Sequence, residues 1–200
     1  LLSTAKEMAE MHPGDPCCEI LSTNILKQIN GASVSTCTEL TILEVVNIVG
    51  MVGAGKSTLI KVLAFWCHKN GYRMTIVVDT VAEVMNLQKY LSAFGVKASP
   101  LIGRGERLKY INQVVRPYET CLPAGFSQYL TPLCLVDGMD AQHSEAVAFG
   151  KEPCYSLKKG NKNHLCPYFH QCQGTRMLRE CYTASVVITT VAGFAASRVG

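Results

Sequence analysis

The segment Gly50-Met-Val-Gly-Ala-Gly55-Lys56-Ser57 is the feature that most restricts how this chain can fold. Its spacing is that of a phosphate-binding loop, in which glycines let backbone N–H groups approach phosphate oxygens closely. A short β-branched run over residues 43–49 precedes the segment, and an apolar run over residues 57–69 follows it. This order predicts a strand, a loop and a helix. A glycine turn followed by an exposed lysine is the alternative, and it does not account for the flanking runs.

The loop predicts a nucleoside triphosphate, taken here as ATP, together with Mg²⁺. Lys56 would reach the β- and γ-phosphates as a mobile positive charge, and the Ser57 hydroxyl would bind Mg²⁺. We therefore predict Lys56 and Ser57 as the catalytic residues of this loop. The predicted nucleotide-binding residues are Gly50, Gly53, Ala54, Gly55, Lys56, Ser57 and Thr58.

A hydrolytic site also needs an acidic motif at the end of another strand. Asp137, after the apolar residues 133–136, is the only candidate, and it lacks an adjacent glutamate. We expect the acidic motif to lie beyond Gly200, in a longer protein of which this chain is a piece.

Strand-like and helix-like segments alternate after the loop. Residues 74–78 predict a second buried strand, and residues 184–191 predict another strand near the end of the chain. Between them, Val84, Leu87, Leu91 and Phe94 recur at three- and four-residue steps and predict one apolar helix face. This alternation predicts an α/β fold with a parallel sheet and crossover helices.

An irregular, cysteine-rich segment interrupts the alternation. We therefore predict an N-terminal helical segment (1–40), a first part of a P-loop domain (41–116), a cysteine-rich insertion (117–181) and a return to the P-loop domain (182–200). The fold class expected is a P-loop NTPase (RecA-like) parallel sheet with helices on both faces, interrupted by a metal-binding insertion.

The chain has 10 cysteines, and six of them lie within residues 121–181. A phosphate-binding loop belongs with cytosolic nucleotides, where thiols stay reduced, so a metal site is favoured over disulfides. The four predicted ligands are Cys134, Cys154, Cys166 and Cys172, in a segment that also contains Lys, Asn, Gly and His residues. Cys181, predicted to be buried at the start of a strand, is a rival ligand, and His164 and His170 are possible substitutes. Four buried, unligated cysteines are the alternative.

Positive charge is concentrated in the same segment. Residues 151–180 contain six basic and two acidic side chains, an excess equal to the net charge of +4 of the whole chain. Lys158, Lys159, Lys162 and Arg176 could follow a phosphate backbone, and Tyr155, Tyr168 or Phe169 could stack on a base. A solvated face that keeps the segment soluble is the alternative.

Together these features resemble the first motor domain of a superfamily 2 DNA helicase, in particular the DinG/XPD type. Residues 49–58 match motif I, and Ile76-Val-Val-Asp-Thr80 resembles motif Ia. Residues 101–107 are similar to the glycine–arginine stretch that often follows, and residues 172–190 resemble the passage from the last cluster cysteine into the next strand. The chain departs from the family in lacking a DExH box and in having Thr190-Val191 where an asparagine–histidine pair is usual.

The resemblance implies ATP hydrolysis coupled to DNA strand separation, with single-stranded DNA or a duplex with a tail as partner. It also implies a [4Fe–4S] cluster on the four cysteines, with Zn²⁺ as the alternative metal. Two other functions stay open: a P-loop kinase or phosphotransferase with a cysteine-rich lid, and a non-enzymatic, nucleotide-gated module that binds DNA. The sequence has no apolar run of about 20 residues and no secretory signal, so we expect a cytoplasmic protein, nucleoid-associated if prokaryotic, with no membrane partner.

Overall fold

The computed structural model describes residues 1–11, 55–115, 127–130, 154, 157–159 and 162–196. The chain divides into two compact units, one of residues 1–72 and 91–96 and the other of residues 73–90 and 97–200. Predictions for residues 43–49, Asp137 and Tyr155 lie outside the described residues. No helix in the described ranges combines the length and the apolar character that a bilayer crossing requires.

The first unit contains helix α1 (Leu2–Met11) and helix α2 (Lys56–Lys69), which pack against each other. Met8 of α1 and Val62 of α2 are fully buried, and Lys69 forms an ion pair with Glu7 at 2.6 Å. Helix α2 confirms the helix predicted after the phosphate loop. It ends at Lys69 with Asn70 as its C-cap, because Gly71 takes a left-handed φ of 72° that L-residues rarely adopt.

The second unit is built on a three-stranded parallel sheet. Its strands are β1 (Met74–Val78), β2 (Ala98–Leu101) and β5 (Val186–Thr190), in the order β1-β5-β2. Met74 and Ala98 both lie opposite Val186, so the two outer strands start level with each other on either side of β5. The fold is therefore mixed α/β with a small parallel sheet flanked by helices, as the alternation of segments predicted.

Strand β5 forms the centre of this sheet. Four of its five residues are buried, which explains why its sequence is an almost unbroken β-branched run rather than an alternating one. The predicted strand over residues 184–191 was correct in place but too long, because Val191 already starts helix α7 (Val191–Ala196).

Strand β1 has the predicted bounds but is not fully buried. Ile76 faces the core with 5% exposure, whereas Val77 is 42% exposed. The prediction of a buried strand was wrong at Val77, because a short β-branched run does not by itself show whether one face or both faces are covered.

Helix α3 (Val81–Ala93) follows β1 and confirms the helix predicted there. Its start is a capping box: the Thr80 backbone N–H and hydroxyl donate to the Glu83 carboxylate at 3.0 Å, and the Glu83 N–H donates back to the Thr80 hydroxyl at 3.2 Å. Val84 and Leu91 are fully buried, as their spacing indicated.

Two elements of the second unit that precede the cysteine-rich segment were not predicted. Strand β2 contains Pro100, which has no N–H to donate and is unusual inside a sheet. It is accommodated because β2 pairs only with β5 in the described sheet. Helix α4 (Arg104–Tyr110) follows β2 after Gly103 and continues into a short π-helical turn (Ile111–Val115).

The described parts of the cysteine-rich segment are more regular than expected. A short helix α5 (Ser127–Leu130) is followed by an antiparallel hairpin of β3 (Leu157–Lys159) and β4 (Lys162–His164). A 3₁₀ turn (Gln173–Thr175) then leads into helix α6 (Arg176–Thr183). Helix α6 packs against β2, so it adjoins the sheet although it begins inside the range predicted as an insertion.

Candidate functional site

The described end of the phosphate loop is Gly55, which precedes the first residue of α2. Gly55 has φ 82° and ψ 13°, a left-handed conformation that costs a non-glycine residue about 1–2 kcal/mol. Its carbonyl accepts the first intrahelical bond, from the Leu59 N–H at 2.9 Å, and no side chain among the described residues caps the helix. The N–H groups of the first turn of α2 therefore have no intrahelical acceptor, which is the arrangement that binds anions at helix starts.

Lys56, Ser57 and Thr58 form this first turn. Lys56 and Thr58 are half-buried and Ser57 is exposed. The sequence prediction placed all three at the opening of a helix, and that placement is confirmed. Gly50, Gly53 and Ala54 lie outside the described residues.

In the second unit, the carboxyl ends of β5 and β2 are joined by side-chain hydrogen bonds. The buried Thr189 hydroxyl donates to the Leu101 carbonyl at 2.8 Å. The Thr190 hydroxyl donates to the Glu106 carboxylate of α4 and accepts from the Gly193 N–H at 2.9 Å, which caps the start of α7. This edge of a parallel sheet is where α/β proteins commonly place ligands.

Gly193 permits the close approach of α7 to this edge. A Cβ at this position would lie 2.6 Å from Thr189 Oγ1 and 3.1 Å from the Leu101 carbonyl oxygen. Both distances are shorter than ordinary van der Waals contact, so a side chain at position 193 would push α7 away from the strands.

Three of the four predicted metal ligands lie among the described residues, and all three are buried. Cys154 and Cys166 share one buried cluster with Phe169. The Cys166 N–H donates to the Cys154 carbonyl at 2.9 Å, which ties the two residues together through the backbone. Cys172 is 5% exposed and lies six positions after Cys166.

Residues 166–172, named here the cysteine loop, are held by two polar side chains that follow them. The Thr175 hydroxyl, in a residue only 2% exposed, lies 2.8 Å from the Phe169 carbonyl oxygen. The Arg179 guanidinium of α6 donates to the Phe169 carbonyl, to the Cys172 carbonyl at 2.9 Å and to the Thr175 hydroxyl. Sequence reasoning counted Arg179 only as a charge and did not consider Thr175.

The donor atoms fit a thiolate-bound metal in kind, because soft sulfur ligands suit both zinc and iron–sulfur clusters. The described cysteines are thiols rather than disulfides. Within the same ranges, no three His, Cys, Asp or Glu side chains are grouped closely enough to hold a metal ion. The fourth predicted ligand, Cys134, lies outside the described residues, so the four-cysteine site stays a prediction.

Cys181, the rival ligand, lies at the end of α6 and not at the start of a strand as predicted. Its Sγ is 3.6 Å from the Ser99 hydroxyl of β2, and the residue is half-buried. Burial raises the pKa of the Cys181 thiol, so the protonated form is favoured. His164 and His170, the possible substitutes, are exposed.

Two residues of the predicted nucleic-acid surface have other roles in the structure. Phe169 is 8% exposed inside the cysteine cluster and is not available to stack on a base, whereas Tyr168 is 47% exposed. Arg176 Nε donates to the Glu180 carboxylate at 2.6 Å, and its guanidinium lies over the Tyr129 ring at 5.5 Å. Its charge is therefore largely compensated within the second unit.

The remaining basic residues lie on the β3–β4 hairpin. Lys158 pairs with Asn163 and Lys159 pairs with Lys162, so three lysines are concentrated on one short element. In the sequence, the dipeptide Gly160-Asn161 separates residues 159 and 162, and such a dipeptide is typical of a two-residue hairpin turn.

Tyr129 of α5 completes the contacts around α6. Burial raises the pKa of Tyr129 to about 12, and a hydrogen bond to the Glu180 carboxylate adds to the effect. Its backbone carbonyl accepts from the buried Arg107 of α4 at 3.5 Å. Helices α4, α5 and α6 are thus linked through one tyrosine.

Comparison with protein-family models, with curated protein sequences and with solved structures finds no match for this chain. By its fold, the chain is a mixed α/β protein with a small parallel sheet.

Proposed function

We propose that this chain is the first motor domain of an ATP-dependent nucleic-acid helicase or translocase with a metal-bearing, cysteine-rich insertion. The observation that carries the proposal is the left-handed Gly55 at the start of α2, inside a complete phosphate-loop motif. Such a loop leads directly into a helix, as Gly55 leads into α2.

The role of each loop residue follows from its chemistry. The N–H groups at the start of α2 would hold phosphate oxygens, and Lys56 would neutralise the charge of the β- and γ-phosphates. Ser57, exposed beside it, would supply an oxygen to Mg²⁺. The proposed metal of the insertion would be held by Cys134, Cys154, Cys166 and Cys172, as a [4Fe–4S] cluster or as Zn²⁺.

Substitution of Lys56 tests the nucleotide site. Lys56→Ala should weaken MgATP binding at least tenfold, because a charge-assisted bond to phosphate contributes about 1.5–3 kcal/mol. It should also abolish any ATP hydrolysis. Isothermal titration calorimetry with MgATP measures the affinity, and Lys61→Ala on the same helix is the matched control. Equal affinities of the wild type and Lys56→Ala would exclude this phosphate loop.

The nucleic-acid partner is tested separately on the β3–β4 hairpin. The double substitution Lys158→Glu and Lys159→Glu should weaken binding to single-stranded DNA and reduce its salt dependence, because fewer counterions are released. A salt titration of binding to a fluorescent oligonucleotide measures both. If the binding curves of the wild type and the double variant coincide, these lysines do not contact DNA and only keep the hairpin soluble.

A further inference from the structure

The cysteine loop exposes one aromatic ring and buries the next. Tyr168 is 47% exposed, whereas Phe169 is 8% exposed and belongs to the buried cluster with Cys154 and Cys166. Leu165, directly after β4, is also 47% exposed. Single exposed apolar side chains are common at protein surfaces, so the backbone and the surroundings of Tyr168 decide whether its ring is a binding group.

The backbone of Tyr168 is fixed within the loop. Its carbonyl accepts from the Cys172 N–H at 2.8 Å and from the Gln171 N–H at 3.0 Å. The Phe169 N–H donates to the Cys166 carbonyl at 2.9 Å, which closes the turn around Tyr168 from the preceding side. The exposed ring therefore stands on a closed turn, and the residue that follows it is buried.

Two side chains attach this turn to the start of α6. The Arg179 guanidinium donates to the Phe169 carbonyl and, at 2.9 Å, to the Cys172 carbonyl. The Thr175 hydroxyl lies 2.8 Å and 3.2 Å from the same two carbonyl oxygens. One of these carbonyl groups belongs to the residue after Tyr168, and the other belongs to the residue that closes its turn. A ring held in this way loses less conformational freedom when a partner binds.

The charge of the surrounding sequence is one-sided. Residues 153–179 contain three lysines and two arginines but no aspartate or glutamate. The two arginines have partners within the second unit, whereas the three lysines lie on the β3–β4 hairpin, where Lys159 is opposite Lys162. Like charges at opposite positions destabilise a hairpin, and a bound polyanion would relieve that cost. The hairpin ends at His164, two positions before the cysteine loop begins.

We propose that Tyr168 stacks on a base of a single-stranded nucleic acid whose phosphates contact the hairpin lysines, and that Arg179 is the positioning residue for the Tyr168 ring. The inference rests on the nucleic-acid partner of the proposed function and is independent of the metal. A single strand combines a chain of negative charges with accessible flat faces, and both match this surface. An acidic peptide supplies the charge without the regular faces. Stacking tolerates any base, so binding should show little sequence preference.

The experiment compares two fluorescent probes of equal length by anisotropy, using the full chain. One probe is oligothymidylate, and in the other an abasic site replaces every thymidine. Both carry the same phosphates, so the ratio of their dissociation constants, named here the base preference, reports contacts to the bases. The wild type should bind the thymidylate probe about 5–150-fold more tightly, which corresponds to one stacked base.

Three tyrosine variants test the ring itself. Tyr168→Ala should lose the base preference, and Tyr168→Phe should keep most of it, because phenylalanine retains the stacking face. Tyr182→Ala is the matched control, since Tyr182 is 75% exposed near the other end of α6, and it should keep the base preference of the wild type.

Two arginine variants test the positioning role. Arg179→Met should lower the base preference about 2–10-fold, because the loop must then be ordered when the strand binds. Arg176→Met removes the same charge from α6, but Arg176 contacts Glu180 and the Tyr129 ring, which lie outside the cysteine loop. It should change the affinity for both probes equally. In a Tyr168→Ala background, Arg179→Met should have no further effect on the base preference.

The outcomes separate this inference from the proposed function. If the wild type binds both probes equally, or if Tyr168→Ala keeps the base preference, stacking is wrong and the phosphate contacts stand. If polyglutamate displaces the thymidylate probe as well as unlabelled oligothymidylate does, the partner is an acidic polypeptide and the inference is wrong. If the wild type binds neither probe, the nucleic-acid partner is wrong and the inference falls with it.

The positioning role has its own contradicting results. Equal effects of Arg179→Met and Arg176→Met on the base preference would exclude it, as would an additive loss in the double variant with Tyr168→Ala. Circular dichroism checks that each variant is folded. If Arg179→Met is not, Arg179→Lys takes its place with a smaller expected loss, since an ammonium group still donates hydrogen bonds but lacks the planar fork.

Discussion

The start of α2 and the cysteine loop both lie directly before a helix, but different parts of the chain hold them. At α2 the backbone of one residue, Gly55, adopts a left-handed conformation, and no side chain in the described part of the chain caps the helix. At the cysteine loop, the side chains of Thr175 and Arg179 bind carbonyl groups of residues that precede them. The first arrangement leaves the N–H groups of the first helical turn without an intrahelical acceptor, whereas the second satisfies carbonyl groups with side chains.

The difference explains what each region tolerates. A site held by backbone conformation depends on the absence of a side chain, so adding a methyl group should damage it. A site held by side chains depends on particular polar atoms, so replacing them by apolar groups of equal shape should damage it. Four substitutions test this contrast.

Gly193→Ala should have the largest effect on stability. The new methyl group would lie 2.6 Å from the Thr189 hydroxyl oxygen and 3.1 Å from a backbone oxygen of β2, and neither atom is at the end of a flexible side chain. Overpacking of this kind costs about 3 kcal/mol at the upper end of its usual range. Chemical denaturation of both proteins measures the loss, and Gly105→Ala is the control because its site has no atom within 4 Å. Equal stability of the two variants would contradict the close approach of α7.

Thr175→Val should lower the free energy of unfolding by about 2 kcal/mol. Valine has nearly the shape of threonine, so the change removes a buried hydroxyl while the two carbonyl groups and the guanidinium stay. Urea denaturation gives the value. Thr183→Val is a suitable control, since Thr183 is exposed at the other end of α6. A loss no larger than that of the control would show that the loop does not depend on this hydroxyl.

Gly55→Ala should cost about 1–2 kcal/mol, because alanine is strained at φ 82°. Gly71→Ala is its natural counterpart: φ is 72° there and nothing lies within 4 Å, so the cost in stability should be similar. Only Gly55→Ala should also weaken MgATP binding. Calorimetry and thermal unfolding of the pair separate the two effects, and an equal loss of MgATP affinity in both variants would contradict a specific role for Gly55.

Tyr129→Phe should have the smallest effect at neutral pH, about 1 kcal/mol for one hydrogen bond. Its signature is in the pH dependence. The folded pKa is raised to about 12 from an ordinary value of 10, so the phenol contributes stability that is fully present below pH 10 and is lost as the pH rises to about 12. The stability difference between wild type and Tyr129→Phe should therefore shrink between these pH values. A difference that stays constant over this interval would contradict the raised pKa.

The same contrast separates what the sequence predicts from what it does not. Helix α2, strand β1 and helix α3 were predicted because their signals are local: a glycine before or after a helix, a β-branched run, a repeated apolar spacing. Strand β2 was missed because Ala98-Ser-Pro-Leu101 has weak strand propensity, and it becomes a strand only by pairing with β5, far along the chain. Its register could not be inferred without that partner.

The candidate site shows the same division. Lys56 and Ser57 were placed correctly at a helix start because the motif is contiguous. The sequence predicts that Phe169 could stack on a base and that Arg176 could contact phosphate, whereas the structure buries Phe169 and pairs Arg176 with Glu180. Composition shows a residue's type and not its neighbours. The role of Arg179 depends on carbonyl groups seven and ten positions away, and no periodicity in the sequence marks that relation.

The order β1-β5-β2 has a consequence for how the chain reaches this fold. A ribosome makes β1 and β2 early, yet in the described sheet these strands pair only with β5, which is made after the cysteine-rich segment. Within the described sheet, both early strands therefore depend on a contact of long sequence separation, and such contacts form slowly. Because the cost of closing a loop rises with its length, a segment that folds on its own would shorten the effective distance to β5. Assembly of the cysteine-rich segment would then precede and speed completion of the sheet.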